Sequence, residues 1–372
     1  MIASLGKPPY VGGIENVVDT LLRSELNERF EFSVFDTYRV PDPERTRLQK
    51  ASYAARLTLS CWARLRETRP DLVHIHFCSR TDFWKHAICL TVARSYGVKT
   101  IFHLHGGAFG AFLNEMTPLQ TVLARRVFSK ADRVIALSSY WKEFLLQLVP
   151  AERIHVLSNP IDCERLCPRP REVDPDHPTL LLLGRLGKNK GHYDVLKALP
   201  LVLKEHPNVR VLFAGNDDEH RATDDLKHLA AELGLTRHVE FLGPVLFDPK
   251  VELLRTATML ILPSYVENMP LSVLEAMAVR MPVVSTRVGA IPEILDAGRT
   301  GLLIDPGDWK GLAQSIIRLL DDPFFAERLG SLAGQKARDV WDVKRIADQL
   351  GALYYRVLSS ERVESRREPR LR

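Results

Sequence analysis

The chain has 372 residues, 45% of them hydrophobic and 26% charged, with a net charge of +5, a length that calls for two domains that each bury a core. Its longest apolar runs (LTLSCWA, TLLLLG, TMLILP) fall far short of the ~18 residues that span a bilayer, and no secretory leader is expected at its start. Five cysteines without a C-x-x-C pair argue against a disulfide framework or a structural zinc site, so the expected compartment is the reducing cytoplasm.

Taken in chain order, short β-type runs alternate with longer helical ones. Gly12 and Gly13 (YVGGIE) make a tight loop opening a helix, a shape compatible with phosphate. The MIASLG before them is barely enough for a first strand, so either that strand is very short or the natural start lies upstream. Strands are predicted at 30–36, 72–77, 99–104, 133–137 and 154–157, and helices at 13–26, 46–68, 82–96, 118–130 and 139–148. After a proline- and charge-rich stretch (CPRPREVDPDHP) the pattern restarts. Strands are predicted at 179–183, 209–214, 239–242, 258–262, 282–285 and 302–304, and helices at 191–206, 221–234, 249–255, 270–279, 290–296, 308–320 and 323–338.

Such alternation is the pattern of βαβ units and parallel sheets. The expected fold class is α/β, with two doubly wound, Rossmann-like parallel-sheet domains facing each other across a cleft at the carboxyl ends of their strands. The first domain is placed at 1–168, a linker at 169–178 and the second domain at 179–341. An amphipathic helix at 342–358 is expected to pack back toward the first domain, followed by a disordered Arg-rich tail at 359–372.

Charge is unevenly held. The first 172 residues carry 24 Lys and Arg against 18 Asp and Glu, and the remainder 27 against 28. A basic half suits nucleic acid, an anionic membrane surface or an acidic substrate. No helix-turn-helix, zinc finger or aromatic-interleaved RNA motif accompanies it, so nucleic acid is not expected. Helix 51–68 sets Arg56, Arg64 and Arg66 beside Leu57, Leu59, Trp62 and Leu65, and helix 118–130 adds Arg125, Arg126 and Lys130. A basic amphipathic face of this kind can lie on anionic lipid, or it can be an ordinary half-buried helix with solvated arginines.

Four short stretches carry candidate chemistry. In SYVENMPLSVLEAMA, Glu267 stands on the loop after an apolar strand and Glu275 stands inside the next helix. Asn268 suits the N-cap and Pro270 the first turn, leaving the helix N-terminus as an anion site between the two carboxylates. Two carboxylates flanking a phosphate make sense as acceptors of hydroxyl hydrogen bonds, for instance from sugar rings. In GRLGKNKG, Arg185 and Lys190 lie on a Gly-rich strand-to-helix loop that lacks the full Walker pattern, where both can reach a diphosphate. In HLHGGAFG, His103 and His105 share a strand face that runs into glycines, which allow close approach of a ligand. His74 and His76 could join them in a metal cluster, but they lack a carboxylate partner and are expected to line the sheet. The fourth stretch is the Gly12–Gly13 loop.

Together these pieces resemble the retaining GT-B glycosyltransferases of the large family 4, the "glycosyl transferases group 1" type. The resemblance runs through GGIE, DLVHIH, HLHGG, RVIALSSYW, SNPID, GRLGKNKG, the E-x7-E block, GAIPEIL and GLLIDPGD, in order and spacing. It implies a hexosyltransferase moving a sugar from a nucleotide-sugar, UDP-sugar favoured, to a glycan or lipid-linked acceptor in polysaccharide or cell-surface glycan synthesis. The implied catalytic residues are His105, Glu267, Arg185 and Lys190. Implied donor contacts are Gly12, Gly13, Arg185, Lys190, Glu267, Asn268, Met269, Pro270, Leu271 and Glu275. Glu275 would take the ribose, Glu267 the sugar hydroxyls, and the amides of 269–271 the distal phosphate, while Glu293 is given no role. No D-x-D motif sits at a credible strand end, so no metal and no cofactor are expected. The enzyme would work in the cytoplasm, at the inner face of the membrane if it docks there. Other readings are transfer to a small soluble acceptor, as in sucrose or trehalose synthesis, and a non-catalytic scaffold in a polysaccharide assembly complex. Two features depart from the family: the short first strand, and Arg280 where family members often have glycine after the E-x7-E helix. A non-glycine residue in a left-handed cap there would cost roughly 1 kcal/mol.

Overall fold

A computed structural model describes residues 2–3, 12–37, 46–167, 169–218 and 221–364. Its contacts divide the chain into two compact units, one of residues 1–160 and 343–372 and one of residues 161–342. Each is built on a six-stranded sheet, and every pairing within both sheets is parallel.

In the first unit the strands are β1 (Ile2–Ala3), β2 (Val34–Phe35), β3 (Leu72–Phe77), β4 (Lys99–Leu104), β5 (Arg133–Ala136) and β6 (Ile154–Val156). Their order is β2-β1-β3-β4-β5-β6. Of the first strand the described residues include Ile2 and Ala3, which lie between β2 and β3. The expected strand 30–36 shrinks to β2, and the expected helix 13–26 ends at Leu22, with residues 26–29 forming a separate short helix. Alternation along β3 and β4 separates two faces. On one face Phe77 and Phe102 stack with ring centroids 3.8 Å apart and join Phe83, Phe109 and Phe128 in an aromatic core. Histidines occupy the other face. The last helix, Val343–Glu364, belongs to this unit: Arg29 Nη1 donates to Asp348 Oδ1 at 2.7 Å, and Phe30 meets Tyr354 edge-on. It runs past residue 359, so only residues 365–372 of the expected tail remain, and these lie outside the described residues.

The second unit has β7 (Thr179–Leu183), β8 (Arg210–Ala214), β9 (Val239–Gly243), β10 (Met259–Leu262), β11 (Val283–Thr286) and β12 (Leu302–Ile304), in the order β12-β11-β10-β7-β8-β9. Succession reverses between β7 and β10, and the loops leaving these neighbours diverge there, the point at which doubly wound sheets bind ligands. The stretch at 167–178 read as a linker is anchored to this unit. Arg171 Nη2 donates to the carbonyls of Ala257 and Thr258, and Arg255 pairs with Glu172 at 2.9 Å. Among the described residues no helix is long and apolar enough to cross a membrane.

Arg280 does adopt the left-handed conformation, with φ of +60°. Its carbonyl lies where a Cβ on Gly330 would stand 2.1 Å away, so a glycine in the packed helix accommodates the cap.

Candidate functional site

The loop leaving β7 and the loop leaving β10 meet through Lys190 and the buried Glu267. Lys190 Nζ donates to Glu267 Oε1 at 2.6 Å, and Ser264 Oγ donates to the same oxygen at 2.8 Å. The Glu267 side chain is 6% exposed and that of Lys190 22%, so a buried carboxylate meets a half-buried ammonium. The two loops are fixed to one another as well: Tyr265 N donates to Asn189 O at 2.8 Å, and Tyr265 Oη donates to Asp194 Oδ2 at 2.7 Å. That carboxylate holds the phenol's proton and pushes its pKa up to about 12. Behind them, Thr286 Oγ1 donates to Ser264 O at 2.6 Å. Gly289 has φ of +54°, and a Cβ there would stand 2.1 Å from Glu267 O.

Helix Leu271–Ala278 begins at this point. The N-cap is Pro270 rather than the expected Asn268: the Pro270 carbonyl accepts from Leu274 N, and its ψ of 121° is still extended. Proline has no N–H, so the anion site the sequence suggested across residues 269–271 loses one of its donors. The first-turn amides from Leu271 onward remain, because helix geometry gives them no intrahelical partner. Glu275 lies on this helix, buried, and accepts from Lys250 Nζ at 2.5 Å.

Lys250 was not foreseen. It sits in the first half of helix Phe247–Thr256, where a cation opposes the helix dipole and needs a partner; that misplacement was the available signal. The structure brings together Lys190, Glu267, Asn268, Met269, Pro270, Leu271 and Glu275 around one loop and helix start. Arg185 behaves differently. Its side chain is 70% exposed and pairs with Asp218 at 2.8 Å beyond the end of β8, an acidic partner that also receives Asn189 Nδ2.

The remaining candidates lie in the first unit. Gly12 is the N-cap of helix Gly13–Leu22 with an ordinary extended φ of −80°. A Cβ on it would stand 2.0 Å from Glu15 Oε2, so its smallness serves packing against that carboxylate; the chain at 4–11 lies outside the described residues. His105 is half-buried, and its Nε2 lies 2.8 Å from His76 Nδ1. His74 and His103 are buried on the same face.

Burial holds all four imidazoles uncharged, with His74 and His105 pushed down to about 3 and His76 and His103 well below their ordinary value. The unfolded chain therefore takes up protons on these rings below pH ~6.5 while the folded chain does not. Stability is full above that pH and is lost as pH falls through it, with a slope of up to about 1.4 kcal/mol per pH unit for each ring. Thermal unfolding followed from pH 7.5 to 5 should show the midpoint dropping, and His103→Gln should flatten the drop.

Comparison with known proteins places both halves. Residues 11–165 match the family described as Glycosyltransferase Family 4, and residues 168–336 match Glycosyl transferases group 1. The chain is 28% identical over 316 residues to a glycogen synthase of Mycobacterium tuberculosis, covering 82% of this chain and 73% of that one. It is 34% identical over 185 residues to a D-inositol 3-phosphate glycosyltransferase of Corynebacterium glutamicum, covering 49% and 44%. Among solved structures, sucrose-phosphate synthase from Thermosynechococcus elongatus superposes with a TM-score of 0.79 at 19% identity, over 96% of this chain and 99% of that one. Anabaena HepE in complex with UDP-glucose gives 0.73 at 19%, over 95% and 99%. At these identities the superpositions speak for the fold.

Proposed function

We propose, for a chain that belongs to the glycosyltransferases through a family 4 first half and a group 1 second half, that it transfers a sugar from a nucleoside-diphosphate sugar, UDP-sugar in first place, to a glycan or lipid-linked acceptor, with retention and without a metal ion. The observation that carries this reading is the Lys190–Glu267 pair at the switch point of the second sheet. It sets one cation and one carboxylate side by side at a helix N-terminus, which is what a diphosphate joined to a sugar requires.

Lys190 and Ser264 both reach Oε1 of Glu267, and Lys250 reaches Oε1 of Glu275. In this reading Oε2 of Glu267 accepts from hydroxyls of the donor sugar and Oε2 of Glu275 from the ribose. Lys190, the first-turn amides and Arg185, swung from Asp218, meet the diphosphate. Breaking the bond between the anomeric carbon and the phosphate oxygen sends its electron pair to that oxygen. The acceptor hydroxyl then bonds the anomeric carbon on the same face and yields its proton to the departing phosphate. Positive charge fixed in advance at the leaving oxygens lowers this barrier because it need not reorganise.

The acceptor side of the reading rests on two helices that both pack against Thr81–Ser95. Helix Arg47–Thr68 exposes Leu59 and Trp62, with Arg66 over the indole ring, and helix Pro118–Lys130 exposes Leu119, Val122 and Leu123 beside Arg125 and Arg126. Uncovered apolar side chains among arginines suit an anionic membrane face presenting a lipid-linked acceptor.

Calorimetric titration with UDP, GDP and their sugars tests the donor, with transfer then assayed with and without EDTA. Micromolar binding of one nucleotide selects the base, and silence from all of them sinks the donor reading. Sedimentation with anionic vesicles at low salt is the second arm, and failure to co-sediment removes the membrane.

A further inference from the structure

The histidine face of the first unit's sheet holds an arrangement that donor binding does not require. β3 supplies His74 and His76, β4 supplies His103, and His105 follows directly after it. Parallel register sets His76 beside His103. Two hydrogen-bonded branches result. In one, Tyr354 Oη lies 2.7 Å from His74 Nδ1, and His74 Nε2 lies 3.1 Å from His103 Nδ1. In the other, His76 Nδ1 lies 2.8 Å from His105 Nε2. Among the described residues, the Nε2 atoms of His76 and His103 are buried and have no hydrogen-bond partner.

His74, His76 and His103 offer nitrogens within 4.8 Å of one another, as a metal cluster would. Of their ring nitrogens, however, both of His74 and the Nδ1 of His76 and of His103 are already hydrogen-bonded. The two Nε2 atoms left open are fewer than the three or four protein ligands a zinc-type ion takes. The arrangement works as a hydrogen-bonded ladder.

A neutral imidazole has one N–H and one lone pair, so each ladder bond has a direction. If His105 donated from Nε2, His76 would accept at Nδ1 and carry its own proton on Nε2, a buried N–H with no acceptor among the described residues. If His76 donates from Nδ1, its Nε2 is a bare lone pair and His105 carries its proton on Nδ1. Buried orphan donors are rarer than under-satisfied acceptors, which favours the second direction.

We propose that His76 is a positioning residue that fixes His105 as its Nδ1–H tautomer, so that the half-buried ring of His105 offers a single oriented hydrogen-bond donor to an oxygen of the substrate. The substrate side of this rests on the reading of His105 as a catalytic residue, which the family resemblance implies; the tautomer does not. A wrongly protonated ring would face the same oxygen with a lone pair, which repels where a bond is needed.

Long-range proton–nitrogen correlation spectra of the full chain labelled with nitrogen-15 histidine read the tautomer directly, with His105 identified by its loss in His105→Ala. The native protein should show Nδ1–H at His105. His76→Leu should release a mixture of tautomers and lower kcat by roughly 10-fold, while KM for the nucleotide-sugar stays within about twofold, a loss confined to turnover. His76→Asn, whose amide nitrogen can donate from the place of Nδ1, should restore most of the turnover. An Nε2–H tautomer at His105 in the native protein overturns the proposal, and that spectrum decides even if His76→Leu fails to fold. So does a tautomer unchanged in His76→Leu. A tautomer that shifts while kcat stays constant supports the ladder and overturns the catalytic role of His105.

Discussion

Replacing Lys190 with alanine is expected to lower kcat/KM for the nucleotide-sugar by about 10²–10³, the usual effect of removing one preorganised charge from a leaving group. It should also destabilise the second unit by up to roughly 3 kcal/mol, because the buried Glu267 carboxylate loses its cation and keeps only the Ser264 hydroxyl. The ammonium now 2.6 Å from that carboxylate serves both needs. The two effects separate in a double variant. Adding Glu267→Gln to Lys190→Ala removes the stranded charge and should return most of the lost stability, measured by denaturant unfolding, while activity stays low. Wild-type turnover in Lys190→Ala would put the diphosphate elsewhere.

The second large effect is expected from a single methyl group. Gly191 closes the Lys190 loop with φ of +77°, and a Cβ on it would stand 2.1 Å from Pro263 O and 2.8 Å from Pro263 C. These are backbone atoms directly before Ser264, which orients Glu267, so the clash cannot be relieved by a flexible side chain. Gly191→Ala should destabilise by roughly 3 kcal/mol or more, strain and overpacking together, and should weaken nucleotide binding by moving both site loops apart. Gly97→Ala is the matched control. Gly97 has nearly the same backbone angle, φ of +72°, and open space where its Cβ would go, so the change should cost only about 1 kcal/mol of left-handed strain. Equal losses in the two variants would show that the contact with Pro263 does not matter.

The alternation of strands and helices was legible because both sheets are parallel and buried, which writes long apolar runs such as TLLLL into the chain. The Glu267–Lys190 partnership was legible only as two separate motifs. They lie 77 residues apart, and what joins them is strand order, which local periodicity does not record. Lys250 illustrates the same limit: nothing near DPKVELLR names a carboxylate on a different helix. Arg171 misled for another reason. Proline and charge around it read as solvated linker, yet the guanidinium reaches backbone carbonyls at the foot of β10. The helix cap at Pro270 instead of Asn268 turned on a shift of two residues, where cap preferences of about 1 kcal/mol decide little. The left-handed residue at Arg280 could be anticipated from family resemblance alone.

The division of the chain also sets an order of events during synthesis. The second unit is continuous, residues 161–342, whereas the first is interrupted and needs residues 343 onward. A ribosome therefore releases every strand of the first sheet early, yet Tyr354, which closes one branch of the histidine ladder, and Asp348, which holds Arg29, emerge only after the whole second unit. The inserted unit can fold while its host still waits for its final helix. Until that helix arrives, His74 lacks the Tyr354 hydroxyl that meets its Nδ1, and that branch of the ladder stays open.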